Sequence, residues 1–282
     1  MSLVTYPAPA KLNLFLRVIG RRQDGYHSLQ TVFRFIDFGD TLQFRVCQGR
    51  SIRRVNSVTG IPADEDIALR AARLLQQEAG VERGVEIRVC KRIPVGGGLG
   101  GGSSDAATVL LALNRLWNLN LKRHELVELG LRLGADVPVF IFGESAFAEG
   151  IGERLQPIRL PPAWYLALVP PVAVATRKVF EDPDLTRNSQ PIRIDDFSVE
   201  RGQNDLESVV RGCYPEVGEH LDWLRGHLGE GSYAALTGSG ACVFAEFETE
   251  EAARQVAKRL PPTMSGFVSQ GLDIHPLRNL AD

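Results

Sequence analysis

A glycine-rich stretch at residues 94–104 has the composition of a loop that binds phosphate. Six of its eleven residues are glycine, and such unshielded backbone can adopt positive φ and approach a ligand closely. An alternating apolar strand precedes the stretch and an apolar helix follows it, with Ser103 and Ser104 as good N-cap residues. A helix N-terminus adds free N–H groups and partial positive charge, which favour an anion. The residues predicted to bind phosphate are Pro94, Val95, Gly96, Gly97, Gly98, Leu99, Gly100, Gly101, Gly102, Ser103 and Ser104.

Three other interpretations of this stretch fit less well. A flexible linker usually has serine among its glycines and polar flanks, whereas this stretch lies between a strand and an apolar helix. The spacing of Gly97 and Gly102 matches a Walker A loop, but Ser103 stands where that loop needs lysine. Residues 96–101 match the dinucleotide fingerprint, yet helical sequence stands where that fold needs a strand ending in an acidic residue about 20 residues on.

Two ionisable residues outside the loop could take part in phosphoryl transfer. Asp136 lies among small and apolar residues, where it could accept a hydroxyl proton, bind a metal or simply cap the helix that Pro138 begins. Lys11 lies near the start of a strand and could reach a cleft, although charge statistics alone favour a solvated lysine. Phosphoryl transfer needs backbone donors, a cation and a base. The glycine loop, Lys11 with bound Mg²⁺, and Asp136 would supply them.

Two further segments could contact a ligand. Tyr26 and His27 follow an Asp-Gly turn signal, and they could form an exposed aromatic shelf or merely fill a hairpin. Gly238 and Gly240 precede a strand, where they let the backbone approach a ligand or form a bulge. The pattern alone leaves these alternatives open.

Hydrophobic periodicity predicts the elements that would position these residues. In the first half, the predicted strands are 11–18, 28–37, 40–46 and 85–90, and the predicted helices are 66–79, 105–117 and 121–133. A turn at residues 38–39 would join the second and third strands. In the second half, the predicted strands are 164–169, 243–247 and 266–274, and the predicted helices include 215–228 and 249–260. Glycine, glutamate and proline between residues 143 and 162 predict a boundary, with an N-terminal domain at 1–158 and a C-terminal domain at 159–282.

The composition excludes several classes of protein. The 282 residues carry a net charge of −2 and contain 44% hydrophobic residues, as in an ordinary globular protein, which argues against broad electrostatic binding of nucleic acid. No apolar stretch has membrane-spanning length, and we expect neither a signal peptide nor a membrane partner. The four cysteines are scattered and the five histidines lack metal-ligand spacing. A reduced, cytoplasmic protein is predicted, as a monomer or weak homodimer.

Several of these segments together resemble the small-molecule kinase superfamily that includes galactokinase, homoserine kinase, mevalonate kinase and phosphomevalonate kinase. The resemblance runs over nearly the whole chain, whereas the loop alone would indicate only the superfamily. The segments that carry it are 9–14 (Pro-Ala-Lys-Leu-Asn-Leu), 22–27 (Arg-x-Asp-Gly-Tyr-His), 94–104, 134–138 (Gly-Ala-Asp-Val-Pro), 204–206 (Asn-Asp-Leu) and 237–240 (Thr-Gly-Ser-Gly). Within the superfamily, the resemblance is greatest to the members that phosphorylate a cytidine diphosphate-linked methylerythritol.

The resemblance implies an α+β fold in two lobes, with an N-terminal ATP-binding lobe and a C-terminal lobe of antiparallel sheet and helices. ATP would place its phosphates on the glycine loop, and Mg²⁺ would be carried mainly by those phosphates, with Ser104 as a candidate ligand. Asp136 would act as the catalytic base on the 2-hydroxyl of the erythritol moiety. Lys11 would pair with Asp136 and with that hydroxyl, keep the aspartate ionised and lower the pKa of the hydroxyl.

The resemblance also implies how the substrate binds. Tyr26 and Phe180 would sandwich the cytosine ring, His27 would hydrogen-bond its edge, and Asn13 would contact the substrate near the reacting end. The residues that would close the site from the second domain are Thr237, Gly238, Ser239 and Gly240. Asp105 departs from the familiar members, which can carry asparagine there. A carboxylate beside phosphates would need Mg²⁺ or a lysine, or should point away.

Three alternative functions are weighed against this expectation. A sister kinase acting on homoserine or mevalonate is disfavoured by the segment 24–27, because those substrates have no base to stack. A nicotinamide-dependent dehydrogenase would rest on the weak dinucleotide match. A module that binds a phosphorylated ligand without turnover would not depend on Asp136.

Overall fold

The computed structural model describes residues 3–199, 201–229 and 232–281. It confirms the α+β fold, because a large and mostly antiparallel sheet is packed against helices. The strands are β1 (Val4–Arg21), β2 (His27–Cys47), β3 (Ile52–Arg54), β4 (Gly84–Cys90), β5 (Ala146–Gly150), β6 (Arg154–Pro157), β7 (Trp164–Leu168), β8 (Ala234–Leu236), β9 (Val243–Phe247) and β10 (Gly266–Leu272). The helices are α1 (Ile67–Glu78), α2 (Gly101–Leu116), α3 (Arg123–Leu131), α4 (Val137–Phe142), α5 (Thr176–Glu181), α6 (Glu207–Cys213), α7 (Pro215–Arg225) and α8 (Glu250–Ala257). Within these described ranges, no helix combines the length and the apolar character that crossing a membrane requires.

The sheet runs in the order β3-β4-β2-β10-β7-β9-β8, with β1 and β5 also paired to β2 and β6 paired to β5. All named strand pairs are antiparallel except β3 with β4. The strand β10 pairs with β2 and with β7 and so joins the two halves of the chain. The division at residue 158 stays a prediction.

The predicted turn at residues 38–39 is wrong, because β2 continues through them as one strand. The register between β1 and β2 shifts between Pro9 and Ala10, opposite this point. A Cβ on Gly39 would lie 2.4 Å from the carbonyl oxygen of Ala8. Glycine therefore stands there because the neighbouring strand passes close by, and not because the chain reverses.

A second irregularity divides the apolar residues of β1 between two hydrophobic clusters. The register with β2 shifts again between Asn13 and Leu16. Leu12 and Leu14 pack with Phe244 of β9, whereas Leu16 packs with residues of the other cluster. Because an extra residue in one strand changes which face later side chains occupy, the single apolar face expected for residues 11–18 is not formed. From Ala8 to Leu16, both faces of β1 are buried.

Candidate active site

A cleft of about 1100 Å³ lies along the glycine-rich loop. The middle and end of β1, the start of β2 and the helix α5 line its other sides, together with residues 238–240. It contains all the predicted site residues except Ser104 and Thr237. The structure thus brings together residues from both halves of the chain.

The glycine loop turns its backbone toward this cleft. Residues 94–103 all line it, and Gly96, Gly98 and Gly100 have left-handed φ values of 72–74°. The helix α2 begins at Gly101, with Gly100 as its cap residue. The expectation that Ser103 or Ser104 caps the helix is therefore wrong. The free N–H groups of the first helical turn lie directly after the loop, where they favour an anion.

The back of the loop is packed against residues 237–242. The N–H of Cys242 donates to the carbonyl of Gly97 at 3.1 Å. A Cβ on Gly98 would lie 2.2 Å from the carbonyl oxygen of Thr237. Thr237 is fully buried. Its N–H donates to the carbonyl of Cys242 at 3.2 Å, and its hydroxyl accepts the N–H of Asn13 at 3.0 Å. This residue thus supports the loop and β1 from behind.

Ser104 also lies behind the loop and not in the cleft. It is fully buried, and its hydroxyl donates to the carbonyl of Pro9 at 2.6 Å. This hydrogen bond fixes the first turn of α2 against β1. Ser103, one residue earlier, lines the cleft.

Lys11 and Asp136 form an ion pair on the floor of the cleft. The Nζ atom of Lys11 lies 3.2 Å from Oδ2 of Asp136. Lys11 is only 2% exposed, so the alternative of a solvated strand lysine is wrong. Asp136 precedes α4 but makes no side-chain capping hydrogen bond, and about a third of its side chain is exposed. Its carboxylate is therefore free of the capping role and faces the cleft.

Asn13 orients Lys11 from the same strand. Its Oδ1 accepts a hydrogen bond from Lys11 Nζ, and its Nδ2 donates to the hydroxyl of Thr31 at 2.9 Å. The ammonium also lies 5.4 Å from the centre of the Phe33 ring. Because the ammonium is buried with a carboxylate, an amide oxygen and an aromatic face around it, it is held in one position.

The base of the glycine loop contains a second ionic group. Lys91 donates to Asp105 at 2.8 Å and also to Asp40. Asp40 accepts the N–H of Ile93 at 2.8 Å. Burial raises the pKa of Asp105 to about 7; Lys91 opposes this shift and the charge of Asp40 adds to it. Asp105 is thus partnered by a lysine, as a carboxylate beside phosphates requires.

The far end of the cleft is aromatic. His27 and Phe180 stack with ring centres 5.1 Å apart, and Tyr26 is 59% exposed beside them. Asp24 accepts the N–H of Tyr26 at 3.1 Å and fixes this turn. The His27 side chain contacts Phe180 directly, so an aromatic shelf is built from residues far apart in the sequence.

Residues 238–240 close the cleft on the side of the second half. Asn204 holds this segment by donating to the carbonyls of Leu236 and Gly238 at 2.9 and 2.8 Å. The Ser239 hydroxyl lies 2.7 Å from that of Thr176 at the start of α5. The segment is thereby tied to the helix that carries Phe180.

Comparison with known proteins places this site in a family. The model of the GHMP kinases N terminal domain matches residues 66–144, and that of the GHMP kinases C terminal matches residues 180–265. The chain is 60% identical to a 4-diphosphocytidyl-2-C-methyl-D-erythritol kinase of Nitrosospira multiformis, over 98% of this chain and 94% of the relative. A protein of the same name from Thiobacillus denitrificans is 61% identical over 96% of each chain. The chain belongs to the GHMP kinase family.

A solved structure agrees with this GHMP kinase assignment. A crystal structure of 4-(cytidine 5'-diphospho)-2C-methyl-D-erythritol kinase superposes with a TM-score of 0.81 at 34% identity. The alignment covers 95% of this chain and 99% of that chain. The expected kinase fold is therefore confirmed.

Some residues of this GHMP kinase site were not found by sequence reasoning. Lys91 lines the cleft and pairs with two carboxylates, and Arg187 donates to His27. Thr31 supports Asn13. Lys91 lies three residues before the glycine loop, and this short spacing could have indicated that Lys91 belongs to the site. Nothing near Arg187 in the sequence points to His27.

Proposed function

We infer that this GHMP kinase transfers the γ-phosphoryl group of ATP to the 2-hydroxyl of 4-diphosphocytidyl-2-C-methyl-D-erythritol, giving ADP and the 2-phosphate. The reaction belongs to non-mevalonate isoprenoid precursor biosynthesis. The observation that carries this proposal is the Lys11–Asp136 pair, which lies in one cleft with the glycine loop and an aromatic shelf.

We propose that Asp136 takes the proton of the acceptor hydroxyl. Its carboxylate has an exposed part that a hydroxyl could reach, and it is not used as a helix cap. The Lys11 ammonium, fixed by Asn13, would hold the hydroxyl oxygen beside the carboxylate and stabilise negative charge as it develops. Asn13 would contact the substrate near this reacting end.

We propose that the backbone of residues 94–103 holds the phosphates of ATP. The Ser104 hydroxyl donates to Pro9 behind the loop and is therefore not proposed as a Mg²⁺ ligand. The left-handed glycines of the loop and the start of α2 present N–H groups to an anion. In the described ranges, no three His, Cys, Asp or Glu residues are grouped as metal ligands. Mg²⁺ commonly binds through substrate phosphates with few protein ligands, so it would arrive on ATP, where it neutralises phosphate charge.

The aromatic shelf is proposed to bind the cytosine ring. Tyr26 and Phe180 offer ring faces, and stacking contributes about 1–3 kcal/mol per base. His27 offers a polar edge at the same place. Gly238, Ser239 and Gly240 would close over the substrate, supported by Thr237. A cytoplasmic monomer or weak homodimer, without nucleic-acid or membrane partners, remains our prediction.

The experiment is to measure ADP release by the purified protein with Mg²⁺-ATP, with and without 4-diphosphocytidyl-2-C-methyl-D-erythritol. We expect release to depend strongly on this substrate, and the product to carry phosphate on the 2-hydroxyl. Homoserine and mevalonate serve as matched alternative acceptors. Release that follows either of them, and not the cytidine compound, would assign the protein to a sister kinase.

A further inference from the structure

A chain of hydrogen bonds leads from the backbone of β1 to the Lys11 ammonium. The hydroxyl of Thr31 donates to the carbonyl of Phe15 at 2.5 Å. The same hydroxyl accepts a hydrogen bond from Nδ2 of Asn13 at 2.9 Å. The other end of this amide, Oδ1, accepts from Nζ of Lys11, which in turn pairs with Asp136. Thr31 is therefore connected to the Lys11–Asp136 pair through the Asn13 amide.

The donors and acceptors of this chain match in one direction. A carbonyl only accepts, so the hydroxyl proton of Thr31 is used by Phe15. The Thr31 oxygen then offers only lone pairs, and it needs the Nδ2 end of the Asn13 amide. An ammonium only donates, so Lys11 needs the Oδ1 end. A reversed amide would place donor against donor at Lys11 and acceptor against acceptor at Thr31.

The chain lies where water cannot easily replace a lost partner. Lys11, Asn13 and Thr31 are all buried, and an unpaired polar group in such a place is costly. The backbone N–H of Asn13 donates to the hydroxyl of Thr237 at 3.0 Å, which holds this part of β1 from behind. Rotation of the Asn13 side chain is the freedom that remains, and the Thr31 hydroxyl removes it.

The orientation of this amide matters because it determines where the ammonium points. An ammonium has three N–H donors. Among the residues that the structure describes, Asn13 and Asp136 are the polar partners found for Lys11. One N–H therefore remains for the oxygen of a hydroxyl in the cleft, which Lys11 lines. Since the three N–H groups are fixed relative to one another, holding two of them aims the third.

We propose that Thr31 is a positioning residue for the phosphoryl transfer, because its hydroxyl fixes the Asn13 amide and the amide aims the Lys11 ammonium. The inference rests on the proposed function, since it takes Lys11 as the group that meets the acceptor hydroxyl. It goes beyond that function by assigning a role to a side chain whose hydroxyl is already used within the protein. Thr31 also lines the cleft, so the tests must separate this indirect role from direct contact with the substrate.

The first test reads the amide orientation without any turnover. Neutron diffraction from crystals of the full chain, exchanged into heavy water, locates the deuterons on the side chains of Asn13 and Thr31. We expect two deuterons on the end of the Asn13 amide that faces Thr31, and the Thr31 hydroxyl deuteron on the carbonyl of Phe15. Amide deuterons facing Lys11, or a hydroxyl deuteron directed at Asn13, would overturn the proposal even if no Thr31 variant could be made.

The second test removes the hydroxyl and keeps the shape of the side chain. Thr31→Val should lower kcat at least about tenfold, the value of the hydrogen bond that Lys11 would lose, and should leave the KM for ATP within about twofold. Thr31→Ser keeps the hydroxyl and should retain kcat within about threefold. Substrate-dependent ADP release measures these constants. A Thr31→Val protein with full kcat, or a Thr31→Ser protein as slow as Thr31→Val, would overturn the proposal.

The third test asks whether Thr31 acts through Asn13. A double-mutant cycle combines Thr31→Val with Asn13→Ala. Thr31→Val should lower kcat at least about tenfold when Asn13 is present, and by less than about twofold when Asn13 is replaced by alanine. Equal losses in the two backgrounds would mean that Thr31 touches the substrate or supports the fold independently of Asn13, and would overturn the proposal.

A matched control is Thr108→Val on α2. Thr108 is fully buried and its hydroxyl donates to the carbonyl of Pro7 on β1 at 3.3 Å. This variant loses the same kind of hydrogen bond to β1 but leaves the Asn13 amide in place, so its kcat should equal that of the unmodified protein. Failure of the proposed function is distinguishable. Substrate-dependent ADP release with a reversed amide would refute this inference alone, whereas the expected deuterons without such release would refute the kinase reaction alone.

Discussion

At the phosphate end of the cleft the side chains are buried and anchored in the sheet, whereas at the aromatic end they lie on turns and short elements. Lys11 and Asn13 are 2% and 3% exposed on β1, and the glycine loop is packed against residues 237–242. Tyr26 is 59% exposed on a turn, and Phe180 lies in the six-residue helix α5.

This difference in burial matches the different roles that we propose for the two ends of the cleft. Phosphoryl transfer requires a cation, a base and an anion site that are held in fixed positions. Of the groups proposed for these roles, Lys11 is buried in the sheet and is paired with Asp136, about a third of whose side chain is exposed. Recognition of the substrate's base tolerates more movement and can be changed by altering exposed residues. Most of the residues proposed for the transfer are therefore buried, whereas Tyr26, proposed for base recognition, is exposed.

The largest effect is expected when the reacting pair is broken. Asp136→Asn keeps the shape of the side chain but removes the base, and Lys11→Ala removes the cation. We expect each to lower kcat by at least about 10²-fold, measured as substrate-dependent ADP release. Circular dichroism should show a folded protein. Asp222→Asn on the exposed face of α7 is the control and should leave kcat unchanged. A fully active Asp136→Asn protein would eliminate the proposed base.

The next largest effect is expected from filling the space behind the glycine loop. Gly98 has φ near 74° and its Cβ would strike the carbonyl of Thr237. Gly98→Ala should therefore lower the free energy of unfolding by about 1–3 kcal/mol and raise the KM for ATP. Urea unfolding and ATP titration measure these changes. Gly212→Ala, on α6 with open space around it, should cause no loss of stability. Equal urea midpoints for the two variants would mean that the glycine loop is not packed against Thr237.

The sequence predicted the phosphate end better than the aromatic end, for a physical reason. The glycine loop and its flanking strand and helix are local features, since they follow one another directly in the sequence. The contact between Arg187 and His27 joins residues 160 positions apart, and no local pattern records it. Gly39 was misinterpreted as a turn because close strand packing and chain reversal both favour glycine.

The ionic group at the base of the loop shows an intermediate case. A carboxylate at position 105 could be recognised from the sequence as needing a cation or Mg²⁺. Which cation it meets depends on β4 ending at Cys90, so that Lys91 falls beside α2. That Asp105 needs a cation could be predicted from its chemistry, whereas the identity of that cation as Lys91 required the three-dimensional structure.

A smaller effect is expected from removing the exposed ring at the aromatic end. Tyr26→Ala should raise the substrate KM about tenfold, from the loss of one stacking face, with kcat nearly unchanged. Steady-state kinetics with saturating ATP measure both constants. Tyr26→Phe is the matched control and should retain the KM, because it keeps the ring and loses only the hydroxyl. An unchanged KM in Tyr26→Ala would remove Tyr26 from the base site.

The phosphate end should also show its own pH dependence of stability. The folded pKa of Asp105 is raised to about 7 from an ordinary value of 3.8. Between these values the folded protein binds a proton that the unfolded chain has released, so the free energy of unfolding falls as the pH rises. Lys91, Asp40 and Asp66 are the charged groups that influence it. From about pH 5 to about pH 8, the free energy of unfolding of the unmodified protein should fall by on the order of 1 kcal/mol more than that of Asp105→Asn. Asp222→Asn is the control, and its free energy of unfolding should fall by as much as that of the unmodified protein.

The aromatic end should show the smallest effect, with the opposite sign. The pKa of His27 is lowered by burial and by Arg187 and Arg21. Near its ordinary value the unfolded chain therefore binds a proton that the folded protein does not, and this contribution to stability increases as the pH rises. His27→Gln should consequently gain less stability than the unmodified protein between about pH 5 and about pH 7, as urea unfolding would show. We expect Asp105→Asn and His27→Gln to change the pH dependence of the free energy of unfolding in opposite directions. Changes in the same direction would mean that the two ends of the cleft do not differ in this way.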